Sequence, residues 1–172
     1  MNISNKKLWA ILVLCVGGAF TLLGFFGQEV YRQAPPVPET VVTSSGATLY
    51  TKDQILDGQQ VWQSIGGQQV GSVWGHGAYQ APDWSADWLH REALALLELW
   101  SIERFGEPYE ELDAERRGGL ELRLREELRE NTFDEASGAV TVSADRQRAI
   151  AEVAGHYAAL FGGDPSLDDL RE

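Results

Sequence analysis

Residues 62–92 read WQSIGGQQVGSVWGHGAYQAPDWSADWLHRE. Four of the six tryptophans and two of the three histidines of the chain fall in this stretch, among closely spaced glycines. Indoles need a surface to pack on, and glycines let a backbone approach another surface closely. The composition predicts either a segment pressed against a partner or a glycine-rich loop folded over its own core. Residues 66–82 carry no regular period and read as an ordered loop. Pro82-Asp83-Trp84-Ser85 then starts a long helix reaching Phe105, with Trp88, Leu89, Leu96, Trp100 and Ile102 as its apolar contacts and Gly106 and Pro108 as its stop.

Working outward toward the N-terminus, Thr51 and Gln54 form a capping box. The helix it starts has Ile55, Val61, Trp62 and Ile65 on roughly one face, and Gly66-Gly67 ends it. Before it, TVVTSSGATLYT (residues 40–51) is β-branched on both sides of Ser45-Gly46 and predicts a hairpin. Ala34-Pro35-Pro36-Val37-Pro38 is a stiff, extended spacer.

Residues 8–26 are uncharged and almost all apolar. Nineteen residues span roughly 28 Å as a helix, enough to cross a hydrocarbon core. Lys6 and Lys7 precede the run, and Trp9 and Tyr31 lie near its two ends as interfacial anchors. A cleaved signal peptide would have a shorter run followed by a small-x-small site. The run ends instead in Gly-Phe-Phe-Gly-Gln-Glu. The reading is an uncleaved single-pass anchor, with residues 1–7 in the cytoplasm, 8–26 in the membrane, 27–39 as spacer and 40–172 as the outer domain.

Toward the C-terminus, residues 109–130 are charge-dense and helical, with Leu112, Leu120, Leu124 and Leu128 inward. Gly118-Gly119 marks a place where this helix could break. NTFDEASGAVTVS (residues 131–143) predicts a second small hairpin around Ser137-Gly138. Ser143 caps a last helix running to Phe161, which Gly162-Gly163 ends. The fold class is mainly α: one N-terminal transmembrane helix, then a helical domain with two small β-hairpins.

Charge and composition exclude several functions. With Lys6 and Lys7 set aside, the outer domain has 12 basic against 26 acidic residues, a balance of −14. That argues against nucleic acid and against anionic lipid headgroups as partners. The only cysteine, Cys15, lies in the apolar run, and the only methionine is Met1. The outer domain therefore has no disulfide, no cysteine nucleophile, no thiolate metal site, no covalent haem and no methionine-ligated haem iron.

Among the polar residues of the stretch, His76 sits between two glycines that would give a ligand room. His90 lies beside Arg91 and Glu92, where Asp87 could orient it. The two histidines lack a metal-ligand spacing and read as structural; His156 reads as a surface or edge residue. Asp83 and Asp87, four apart, could be an acid–base pair, but carboxylates in a first turn are favoured by the helix dipole. Arg91 and Glu92 read as ion partners at a buried edge. No Ser-His-Asp pattern or phosphate loop is present, and the chain by itself reads as a binding module rather than a catalyst.

The segment GQQVWQSIGGQQVGSVWGHGAYQAPDWSADWLHRE (residues 58–92), the run GQEVYRQAPPVPE (27–39) and the hairpin NTFDEASGAVTVS closely resemble the N-terminal region of quinol-dependent nitric oxide reductases. The resemblance implies a cytochrome c-like domain without haem, on the outer (periplasmic) face of a bacterial inner membrane. It implies a catalytic helical membrane subunit as partner, normally fused, with haem b, non-haem iron and quinol all in that part. Haem-bearing relatives have a CxxCH between a Trp and a GxGAYxAP motif. Here Trp62 and Gly75-His76-Gly77-Ala78-Tyr79-Gln80-Ala81-Pro82 are in place, and the spacing puts Gly67, Val70 and Gly71 where the two cysteines and the histidine would fall. The implied interface to the catalytic part comprises Trp74, Gly75, His76, Gly77, Ala78, Tyr79, Trp84, Trp88, His90 and Arg91, with backbone calcium contacts at Gly77 and Tyr79. The sequence stops at Arg171-Glu172, short of the catalytic helices, so the expectation is a fragment, an isolated domain or a split subunit. The rival reading is a free-standing anchored binding or adaptor module. A haem-carrying electron-transfer protein is disfavoured by the missing ligands.

Overall fold

The computed structural model describes residues 5–33, 36–73, 75–77 and 82–170. The chain divides into two compact units, Met1–Val37 and Pro38–Glu172.

The first unit is one helix, α1 (Asn5–Gln33), none of whose residues is buried. Its most apolar window has a mean hydropathy of 2.3, making it long and apolar enough to cross a membrane. The helix runs past the apolar stretch, so residues 27–33, set aside above as spacer, continue it. Local bonds support that extension: Glu29 accepts from Arg32 at 2.8 Å and from Gln33 at 2.5 Å. The prolines that follow cannot continue a helix, and the chain is irregular again at 36–38.

The second unit joins four helices to a small sheet. The strands are β1 (Thr40–Thr43), β2 (Thr48–Thr51), β5 (Phe133–Asp134) and β6 (Ala139–Val142). Both expected hairpins form, turning through Gly46 and Gly138 with φ of 85° and 67°. They are not separate, however. β1 pairs in parallel with β6, giving the order β2-β1-β6-β5. Gly138 also has to be small, because a Cβ there would lie 2.9 Å from Glu39 Cγ while its carbonyl accepts from the Glu39 amide.

α2 (Lys52–Ser64) starts on the Thr51–Gln54 capping box, both halves of which are made. α3 (Trp84–Phe105) starts on Asp83 and stops at left-handed Gly106. α4 (Ala114–Arg129) starts on Asp113, and α5 (Ala144–Phe161) on Ser143. In each case a short polar side chain accepts an amide hydrogen that the helix itself leaves unpaired. α3 is the central helix, packed on α5 and α4. The core is Leu96, Leu97, Trp100, Leu112, Leu120 and Ala149. Trp100 is fully buried; its indole donates to Asp145 at 2.7 Å, and the Arg123 guanidinium, itself bonded to Asp145, lies 4.0 Å above the ring.

Three expectations are corrected. α4 is continuous through Gly118-Gly119, because both glycines face open space while Leu120 beside them is buried. Val61 and Ile65 of the α2 stripe are 59% and 71% exposed, and α2 buries no residue completely. Leu89 and Ile102 of α3 are also exposed. The loop after α2 has structure of its own: a 3-10 turn (Gly67–Gln69), then a short antiparallel pair, β3 (Ser72–Val73) with β4 (His76–Gly77), turning through Gly75 at φ 72°.

Candidate functional site: an aromatic groove and the loop at its edge

Three helices each contribute rings to one cluster. Trp62 comes from α2, Trp84 and Trp88 from α3, and Tyr157 and Phe161 from α5. Trp84/Trp88 and Tyr157/Phe161 are both four apart, so each pair lies on one helix face. Trp62 meets Trp84 and Phe161 edge-on, with ring centres 6.4 and 6.2 Å apart. Trp84 meets Phe161 and Tyr157 edge-on at 5.8 and 6.2 Å. Trp88 stacks on Tyr157 at 5.4 Å with the rings 7° from parallel. Edge-on and offset contacts of this kind add to what area burial alone supplies. They tie α2 to the domain although its aliphatic stripe stays exposed.

The cluster is not closed over. A 190 Å³ groove runs between Trp62, Val73, Trp84, Trp88, Tyr157 and Phe161. A second hollow, of 310 Å³, shares Val73, Trp84 and Trp88 and extends to Leu89. The indole nitrogens of Trp62 and Trp84 are buried and have no acceptor among the described residues.

A polar rim borders the rings. Asp87 accepts from Arg91 at 2.7 Å and from the Tyr157 hydroxyl at 2.6 Å. Burial works to raise the Asp87 pKa, but these two hydrogen bonds outweigh it and the net shift is downward. Burial, and then the Asp87 carboxylate, push the Tyr157 phenol well above its usual range. Glu92, 2% exposed, accepts from Arg146 at 2.8 Å and from the Trp88 indole at 3.3 Å. Asp83 holds the loop: one carboxylate oxygen accepts from the Ser72 hydroxyl and the Gly75 amide, both at 2.7 Å, and the other from the Ala86 amide at 3.0 Å. These bonds, the Ser72 hydroxyl foremost, lower its pKa to about 2.

Trp84, Trp88 and Arg91 therefore come together, with Gly75, His76 and Gly77 in the adjoining β3–β4 turn. Trp74, Ala78 and Tyr79 lie outside the described residues. His90 is exposed and is not oriented by Asp87, whose bonded oxygen serves Arg91 and Tyr157 instead. Asp83 does cap the helix, as its first-turn position implied. Arg91 and Glu92 both form ion pairs, with Asp87 and Arg146 respectively. Tyr157, Phe161 and Arg146 were missed. The i,i+4 aromatic pair in α5 was the available signal.

A family model for the cytochrome c-like domain of NorB, a nitric oxide reductase component, matches residues 38–172. The chain belongs to this family. The match begins where the second compact unit begins. No curated protein matches the chain.

A cytochrome c-like domain raises the question of whether this one accommodates haem c. Covalent attachment needs two cysteines and a histidine as CxxCH, and the spacing puts these at Gly67, Val70 and Gly71. A Cβ on Gly67 would lie 2.2 Å from the Trp62 ring, and one on Gly71 would lie 1.8 Å from the Trp84 indole nitrogen. No side chain fits at either glycine while the indoles keep their positions. The single cysteine, Cys15, is on α1. The residues present do not fit haem c.

Proposed function

We propose that this chain is the membrane-anchored, haem-less outer-face domain of a quinol-type nitric oxide reductase. The complete enzyme joins two NO with two electrons and two protons to give N2O and water. In that reading the chain performs no chemistry of its own. It packs over the helical catalytic subunit and shields its haems from the outer aqueous phase, while electrons come from membrane quinol. The observation that carries the reading is that Gly67, Val70 and Gly71 stand at the haem-attachment positions, with the Trp62 and Trp84 indoles filling the space beside the two glycines. A domain of cytochrome c type with glycine, valine and glycine at these positions cannot receive electrons through haem c, which favours quinol as donor. α1 supports a single-pass anchor, with Lys6 and Lys7 favouring a cytoplasmic N-terminus.

The groove and the Gly75-His76-Gly77 turn form the face offered to the catalytic subunit. An apolar hollow lined by exposed Val73, Leu89 and Phe161 is a surface that water covers poorly. Backbone oxygens of Gly77 and Tyr79 would contact a calcium ion at that junction, a hard cation suited to carbonyl ligands. A complex indifferent to chelators would remove calcium from the reading.

The test is to co-express the chain with the catalytic subunit, purify the complex and extract it with acid acetone. All haem should leave with the solvent, and quinol should support turnover. Haem remaining covalently on the chain, or a chain that never associates with the subunit, would defeat the proposal.

A further inference from the structure

The base of the loop between β3 and α3 is closed by a backbone bridge and by the Asp83 side chain. Ser72 and Asp83 sit side by side as a parallel bridge, with the Ser72 amide donating to the Pro82 carbonyl at 2.9 Å. Across that base, Asp83 uses its two oxygens for different purposes. Oδ1 accepts from the Ala86 amide and so starts α3; Oδ2 accepts from the Ser72 hydroxyl and the Gly75 amide. Ser72 is itself buried, 8% exposed. An N-cap needs only one acceptor, and serine or asparagine caps as well as aspartate does. The second oxygen, Oδ2, takes both loop donors, Ser72 and Gly75. A charged acceptor with two donors at 2.7 Å makes stronger hydrogen bonds than neutral groups would.

We infer that Asp83 is the positioning residue of the Gly75-His76-Gly77 turn, clamping it to the start of α3 so that the turn meets its partner already shaped. Ordering a loop during association costs affinity, and a loop held beforehand avoids that cost. Trp84 and Trp88, one helical turn apart on α3, follow directly from the same anchor. The turn and the aromatic groove are therefore held in one register by one carboxylate. The part of this inference that concerns the partner rests on the function proposed above; the clamp itself does not.

The experiment uses the full chain in detergent, with amide hydrogen exchange followed residue by residue. Asp83→Ser keeps an oxygen for the Ala86 amide but cannot reach Gly75. Losing a charge-assisted bond should speed Gly75 exchange about tenfold or more, with Ala86 and the rest of α3 unchanged. Ser72→Ala, which leaves the cap untouched, should speed Gly75 exchange to a smaller degree and serves if the first variant does not fold. Unchanged exchange at Gly75 would overturn the clamp. Equal acceleration at Gly75 and Ala86 in the Asp83→Ser chain would reduce Asp83 to an ordinary cap. Co-expressed with the catalytic subunit, the Asp83→Ser chain should be retained several-fold less than the native chain. Equal retention would overturn the delivery of a preformed turn. Failure of the native chain to be retained would instead count against the proposed function, leaving the exchange result to decide the clamp.

Discussion

Gly67 and Gly71 are glycines because indole rings occupy the space a side chain would need. At Gly71 that space lies 1.8 Å from Trp84 Nε1, inside any tolerable contact. Gly71→Ala should therefore destabilise the domain by about 1–3 kcal/mol, the range typical of overpacking, read as a lower urea midpoint. Asp83 makes a different kind of demand. Its carboxyl is held below the ordinary value of 3.8, at about 2. A depressed carboxyl contributes stability that is fully present above 3.8 and is lost as pH falls through about 2. Protection of the Gly75 amide should accordingly persist at pH 4 and disappear between roughly pH 3 and pH 2, earlier than global acid unfolding if the clamp is local. Exchange measured across that range checks both the sign and the window.

Among the elements, α4 offers a clean contrast to the loop glycines. Gly118 and Gly119 have nothing within 4 Å of an added Cβ and lie inside an unbroken helix. Replacing both with alanine should raise stability, each by up to about 1 kcal/mol on helix propensity alone, visible as a higher Tm of the second unit. The same elements show what a sequence discloses. Thr51, Asp83, Ser143 and Gly106 mark helix ends through contacts made within a few residues, and those boundaries were legible. The exposure of Val61 and Ile65 was not, because a periodic apolar stripe indicates a face without saying what covers it. The aromatic site was half legible. Trp84, Trp88 and the glycines announced a packed segment, but Tyr157 and Phe161 reach it from α5, across a separation no local pattern encodes. The joining of the two hairpins through β1 and β6 was hidden for the same reason.

At the scale of the whole molecule, two units of opposite character share one chain. α1 buries none of its residues, whereas the second unit has its own core on α3. Cut down to residues 38–172, the second unit should leave the membrane fraction and self-associate through its uncovered groove, giving a sedimentation coefficient that rises with concentration. A monodisperse monomer at all concentrations would speak against the groove as a docking face and for a free-standing adaptor.

The parallel pairing of β1 with β6 also governs the order in which the second unit can be completed during synthesis. β1 is among the first segments of that unit to emerge and β6 among the last, with three helices in between. Helical contacts between neighbours can form early, but a parallel strand pair must wait for both partners and bears the full entropy of closing the intervening chain. The β1–β2 hairpin is thus a waiting edge with unpaired backbone donors and acceptors until residue 142 is free to pair with it. Chaperone binding to nascent chains should peak over that interval and fall once β6 arrives.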